Sequence, residues 1–87
     1  MELNIKATAE EKELVVRSIR KINKVIHIKH MSQAMIAEDS GVKASKVRIA
    51  LQDLMDDGHI EQIVVSDKAI KRYYYVLTDK GNETYLQ

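Results

Sequence analysis

The stretch "SGVKASKVRIALQDLMDDGHI", residues 40–60, decides the fold. Read as a helix, "SKVRIALQDLM" sets Val47, Leu51, Leu54 and Met55 in one apolar stripe at helical spacing. Ile49 falls almost opposite that stripe, in the middle of a surface expected to be polar. Glycines punctuate both ends. Gly41 stands where a preceding helix would stop in a left-handed conformation, and Gly58 closes the next one. The expectation is a helix from Ala44 to Asp57, entered through the tight turn "GVK".

Upstream, Ser32 is a good N-cap for a helix from Gln33 to about Ser40, anchored by Met35 and Ile36. Further back, "TAEE" at Thr8–Glu11 is a capping box, in which hydroxyl and carboxylate satisfy free amides at a helix start. It opens a helix from Ala9 to about Lys24. Val15, Ile19, Ile22 and then Ile26 form its apolar stripe, with Arg17, Arg20, Lys21 and Lys24 opposite. "VIHIK" (25–29) alternates and is β-branched, which predicts a short strand.

Downstream, "HIEQIVVS" and "RYYYVLT" read as two strands rich in β-branched and aromatic residues. The link "DKAIK" is short enough for a hairpin over 60–78, with Ile70 at its tip. Alternation puts Tyr73 and Tyr75 on one face and Tyr74 on the other. Thr78 can cap a last helix, Asp79–Leu86, weakened by Gly81. The fold class expected is therefore α+β and mainly helical. Two helices joined by a tight turn and followed directly by a hairpin make a winged helix-turn-helix: a three-helix bundle, a β-hairpin wing and a short C-terminal helix.

At 87 residues the chain is expected to be one domain, 1–87, just large enough for its own core. It has no cysteine and no proline. Neither a disulfide framework nor a thiolate metal site is available, and a cytoplasmic location on the nucleoid is expected. No apolar run approaches membrane-spanning length, so no membrane partner is expected. His27, His30 and His59 do not follow a metal-ligand spacing. No nucleophile–base pair or phosphate-cradling loop assembles, which argues against an enzyme and against a cofactor. No small-molecule pocket is legible. Net charge is +1 but segregated: −2 over 1–11, +5 over 12–30, −3 over 31–66 and +1 over 67–87.

Residues 31–60, "MSQAMIAEDSGVKASKVRIALQDLMDDGHI", resemble the helix-turn-helix of MarR-like and PadR-like winged-helix regulators. The resemblance rests on Ser32, on Ile36–Ala37, on Gly41–Val42 in the turn, on Val47, Leu51 and Leu54, and on "DGHI". "YYYVLTDKG" (73–81) is similar to the "YxLTxKG" ending of the same group. The resemblance implies a transcriptional regulator that binds double-stranded DNA as a homodimer. Its third helix would enter the major groove with Ser45, Lys46, Arg48, Ile49 and Gln52 toward DNA. Lys68, Lys71 and Arg72 would lie on the wing, and Ser32 and Gln33 would meet a phosphate. Some features depart from the family. Lys43–Ala44 stands where Ser or Thr often begins the third helix, the wing lacks an Asp-x-Arg spacing, and the long dimerisation helices and effector domain are missing.

By chemistry, Gln52 can pair with adenine, Arg48 can reach guanine or a phosphate, and Ile49 suits a thymine methyl. Lys43, Lys46, Lys68, Lys71 and Arg72 would supply most of the affinity through phosphates. The basic stripe of the first helix reads first as a solvated face. Candidate dimer surfaces are "LNIKA" (3–7), the first helix and Tyr85–Leu86. An alternative reading is a protein–protein interaction module that docks a partner through Ile49, Asp53 and Asp56.

Overall fold

The computed structural model of the chain describes residues 6–25 and 31–85. It is a small α+β domain in which helices dominate. In chain order it contains α1 (Ala9–Val25), α2 (Gln33–Ser40), α3 (Ala44–Asp56), β1 (Ile60–Asp67), β2 (Ile70–Leu77) and α4 (Asp79–Thr84). The expected strand at 25–29 lies outside the described residues apart from Val25, which is the last residue of α1. Ile26, His27, His30, residues 3–5 and Leu86 also lie outside them.

Helix starts follow the caps written in the sequence. The Thr8 hydroxyl accepts from the Glu11 amide at 3.1 Å, and Glu11 Oε1 accepts from the Thr8 amide at 2.8 Å. Ser32 Oγ accepts from the Met35 amide, and Thr78 Oγ1 from the Gly81 amide. The stops are equally local. Gly41 (φ 76°) donates its N–H to the Ala37 carbonyl, a single left-handed closure of α2. At the end of α3, Gly58 (φ 78°) donates to Met55 O while His59 donates to Leu54 O. That paired closure turns the chain straight into β1.

Val15, Val16, Ile19 and Ile22 on α1, Ile36 on α2, and Val47, Ala50, Leu51 and Leu54 on α3 meet in one core, which Ile60 and Tyr75 close from the hairpin. Helix α1 packs on both α2 and α3 and also against β2. Burying side chains of this size stabilises the fold by about 1.5–3 kcal/mol each. Polar contacts lock the helices in place. Buried Ser18 donates its hydroxyl to Asp39 Oδ2 at 2.8 Å, and Lys21 Nζ lies 3.0 Å from Asp39 Oδ1. The Lys21 ammonium, then the Ser18 hydroxyl, hold the Asp39 carboxyl below its ordinary pKa.

The hairpin is antiparallel, running from Ile60↔Leu77 at its base to Asp67↔Ile70 at its end. Its loop is therefore only Lys68–Ala69, shorter than the expected "DKAIK". Ile70 and Lys71 belong to the strand, because the two-residue turn is closed by Lys68 taking a positive φ of 58°. Gly81 also plays a different part from the one expected. It sits inside α4, where a Cβ would overlap the His59 carbonyl oxygen. Its missing side chain lets α4 press onto the α3–β1 junction. There Lys80 Nζ donates to Asp57 O and Thr78 Oγ1 to Gly58 O, both at 2.7 Å. The Tyr85 ring stands edge-on to His59, centroids 5.3 Å apart. Burial, then the nearby Asp57 and Glu13 carboxylates, push its phenol pKa upward.

Candidate nucleic-acid interface

Helix α3 buries Val47, Ala50, Leu51 and Leu54, so its opposite side is fixed. That side presents Ser45, Arg48, Gln52 and Asp56, all exposed. Their spacing of three, four and four residues makes one continuous strip along the helix. Gln52 is not idle: its Nε2 donates to Asp56 Oδ1 at 3.0 Å. No side chain caps the start of α3 at Lys43, so the first amides remain open beside an exposed lysine.

Two residues expected on this face are partly covered. By helical spacing Ile49 lies nearly opposite the buried stripe, yet it is half-buried and packs against core residues. Lys46, one turn earlier on the same side of α3, reaches the Lys6 carbonyl with Nζ at 3.3 Å, and Ala7 is buried. Through Lys46 this flank of α3 is tied to the chain just before α1. Lys46 is likewise half-buried and spends its ammonium on that carbonyl.

The other expected residues gather elsewhere. Ser32, Gln33, Lys71 and Arg72 line an open groove of about 750 Å³ between the start of α2 and the hairpin, together with Met31, Met35, Gln62, Tyr73 and Tyr75. Gln33 is directed into this groove, donating from Nε2 to the Tyr75 hydroxyl at 3.2 Å. Ser32 keeps its oxygen on the Met35 amide and leaves its hydroxyl proton for an outside acceptor. Lys68 is exposed at the hairpin turn. The residues lining this groove do not include Ser45, Arg48, Gln52 or Asp56 of the outward strip of α3.

No family model matches this chain. No curated protein matches it either.

The basic stripe of α1 is largely used within the fold. Arg17 pairs with Glu13, Lys21 with Asp39, and Arg20 donates to the Tyr85 carbonyl at 2.7 Å, tying α1 to α4. Lys24 stays exposed. Tyr85 is half-buried against the core and the His59 ring, which limits what it offers a partner. Among the described residues, no three His, Asp or Glu side chains converge as metal ligands, and no helix is long and apolar enough to cross a membrane. Sequence reading missed the groove. Gln62 and Tyr75 are cross-strand partners, but their pairing depends on the register, which a two-residue rather than five-residue link sets.

Proposed function

We propose that this chain is a winged-helix domain that binds double-stranded DNA, with α3 in the major groove and the β1–β2 hairpin as the wing. The observation that carries the reading is the strip Ser45–Arg48–Gln52, exposed along the whole helix that follows a left-handed glycine turn. An α-helix fits the major groove, and Arg and Gln are the side chains whose forked donors and acceptors pair with guanine and adenine edges. Lys43 with the uncapped amides of α3 fits a phosphate at the front of the helix. Lys68, Lys71 and Arg72 supply the wing's positive charge, and Ser32 offers its hydroxyl proton at the start of α2.

Ile49 and Lys46 play a smaller part in this interface than their positions in the sequence imply, since Ile49 packs partly against the core and Lys46 donates to the Lys6 carbonyl. The partial shelter of Ile49 also weakens the alternative of a protein-docking face built on Ile49, Asp53 and Asp56, because its apolar anchor is half withdrawn. The biological role proposed is a small transcriptional regulator acting as a homodimer on a two-fold site, since one such domain covers a short stretch of duplex. The test is selection of bound fragments from mixed genomic DNA with the full chain. Recovery of a common, two-fold-related site supports the reading, and fragments recovered without any shared sequence contradict it.

A further inference from the structure

Cross-strand pairing gives one face of the hairpin a graded character. Ile60↔Leu77 and Gln62↔Tyr75 stand at its base, and Val64↔Tyr73 and Ser66↔Lys71 follow outward on the same face. The base seals the core, with Tyr75 only 1% exposed. One pair further out the same surface emerges from cover, leaving Val64 50% and Tyr73 46% exposed. There Tyr73 lines the groove at the start of α2, together with Met31 and Met35.

The floor of that groove is polar in a particular way. The amides of Gln33 and Gln62 both converge on the Tyr75 hydroxyl, at 3.2 and 3.3 Å. An amide carries two N–H donors and a carbonyl acceptor, so each glutamine keeps one N–H and its Oε1 after making this bond. The hydrogen bond to a shared phenol fixes both amides in place at little further entropic cost on binding. The floor therefore offers fixed donors and acceptors side by side, beneath a half-exposed aromatic ring. Lys71, on the same strand face as Tyr73, adds a positive charge at the rim.

We infer that this groove binds a nucleoside monophosphate. A planar base has both donors and acceptors along its edge, which matches the paired amides, and a π-face, which matches Tyr73 and the thioethers. The phosphate matches Lys71. A simple carboxylate or aliphatic acid would satisfy the cation and leave the amide carbonyls facing a like-charged or apolar group. The volume lies in the range that encloses one small ligand. Lys71 and Gln33 are shared with the proposed duplex interface, whereas Tyr73 and Gln62 are not, so the Tyr73 variants test this site apart from that reading.

The test is calorimetric titration of the full chain with purine and pyrimidine nucleoside monophosphates, with ribose 5-phosphate and a short single-stranded oligonucleotide alongside. At least one monophosphate is expected to bind with one site per chain, and ribose 5-phosphate at least about tenfold more weakly, since stacking contributes that order of affinity. Tyr73→Ala should weaken binding about tenfold and Tyr73→Phe should retain it, because only the ring is needed. Lys71→Ala should weaken the monophosphate and leave the corresponding nucleoside unchanged, and Lys24→Ala, on α1, should alter neither. The inference is overturned if no monophosphate binds at millimolar concentration, if ribose 5-phosphate binds as well, or if Tyr73→Ala has no effect. An oligonucleotide binding more than tenfold tighter would overturn it too, reassigning the groove to a nucleic-acid strand.

Discussion

Gln52 Nε2 donates to Asp56 Oδ1 at 3.0 Å, one helical turn apart on the exposed strip of α3. The side chain best suited to read adenine is thus held by a carboxylate that would itself face the phosphates. On the proposed reading, DNA binding would have to break this bond and bring Asp56 toward like charge. Asp56→Ala is therefore expected to raise duplex affinity several-fold, about 1 kcal/mol. Fluorescence anisotropy with a labelled duplex at fixed salt checks this. Unchanged or weaker binding would place Gln52 and Asp56 outside the interface.

Glycine is needed at both Gly81 and Gly41, but for different reasons. Gly81 leaves room for the His59 carbonyl inside α4, whereas Gly41 has open space around it and needs only its positive φ. Gly41→Ala should cost about 1 kcal/mol, the penalty of a left-handed non-glycine residue. Gly81→Ala has to displace backbone and should cost about 2 kcal/mol or more. Urea denaturation of the two variants gives the order directly, and equal losses would contradict the close approach of α4.

Lys68 holds a left-handed conformation at the hairpin turn that glycine would adopt without strain. Lys68→Gly should stabilise the protein by about 0.5–1 kcal/mol. The same change removes a wing cation, so the salt dependence of duplex binding should fall by about one phosphate contact. Thermal melting and a salt titration on one variant would show stability and affinity moving in opposite directions. A parallel change would mean that the lysine does not touch DNA.

Asp39 links stability to pH. Its folded-state pKa is depressed below the ordinary 3.8, first by Lys21 and then by Ser18. A depressed carboxylate contributes stability that is present above the unfolded pKa and is lost as pH falls through the folded value. Asp39→Asn should therefore be less stable than the parent at pH 7. The gap should persist to about pH 4 and close below it. Denaturation midpoints at pH 7, 5 and 3 test this, and a gap that stays constant to pH 3 would contradict it.

What could be read in the sequence was whatever is fixed by near neighbours. The Thr8–Glu11 box, the Ser32 and Thr78 caps and the glycine stops at 41 and 58 each act within a few residues, and each appears where expected. Val15, Ile19 and Ile22 on α1 and Val47, Leu51 and Leu54 on α3 followed from periodicity, whereas buried Val16 and Ala50 did not, and Met55 is only partly buried. The misreadings concern contacts between distant segments. Lys46 reaches back to the Lys6 carbonyl, forty positions away, and Ile49 packs partly against the core. Arg20, placed on a solvated stripe by its spacing, is half-buried and tied to Tyr85, whereas Arg17, Lys21 and Lys24 of that stripe are exposed as expected. Gly81, a poor helix former, is there for a close approach to His59 that no local rule encodes. Of the interface, the outward strip of α3 was legible because burial of one face defines the other. The groove was not, since it needs the hairpin register and the placement of α2 together.

The measurement that bears most directly on the central proposal is duplex binding by the full chain across a salt series, with Arg48→Ala beside the parent. Arg48 is exposed at the centre of the strip. Contacts from Arg48, Lys43 and the wing cations should give log affinity against log salt a slope of roughly −4. Arg48→Ala should weaken binding by about 1–3 kcal/mol. Binding that is absent at low salt, or that ignores both salt and the loss of Arg48, would contradict α3 as a DNA-reading helix.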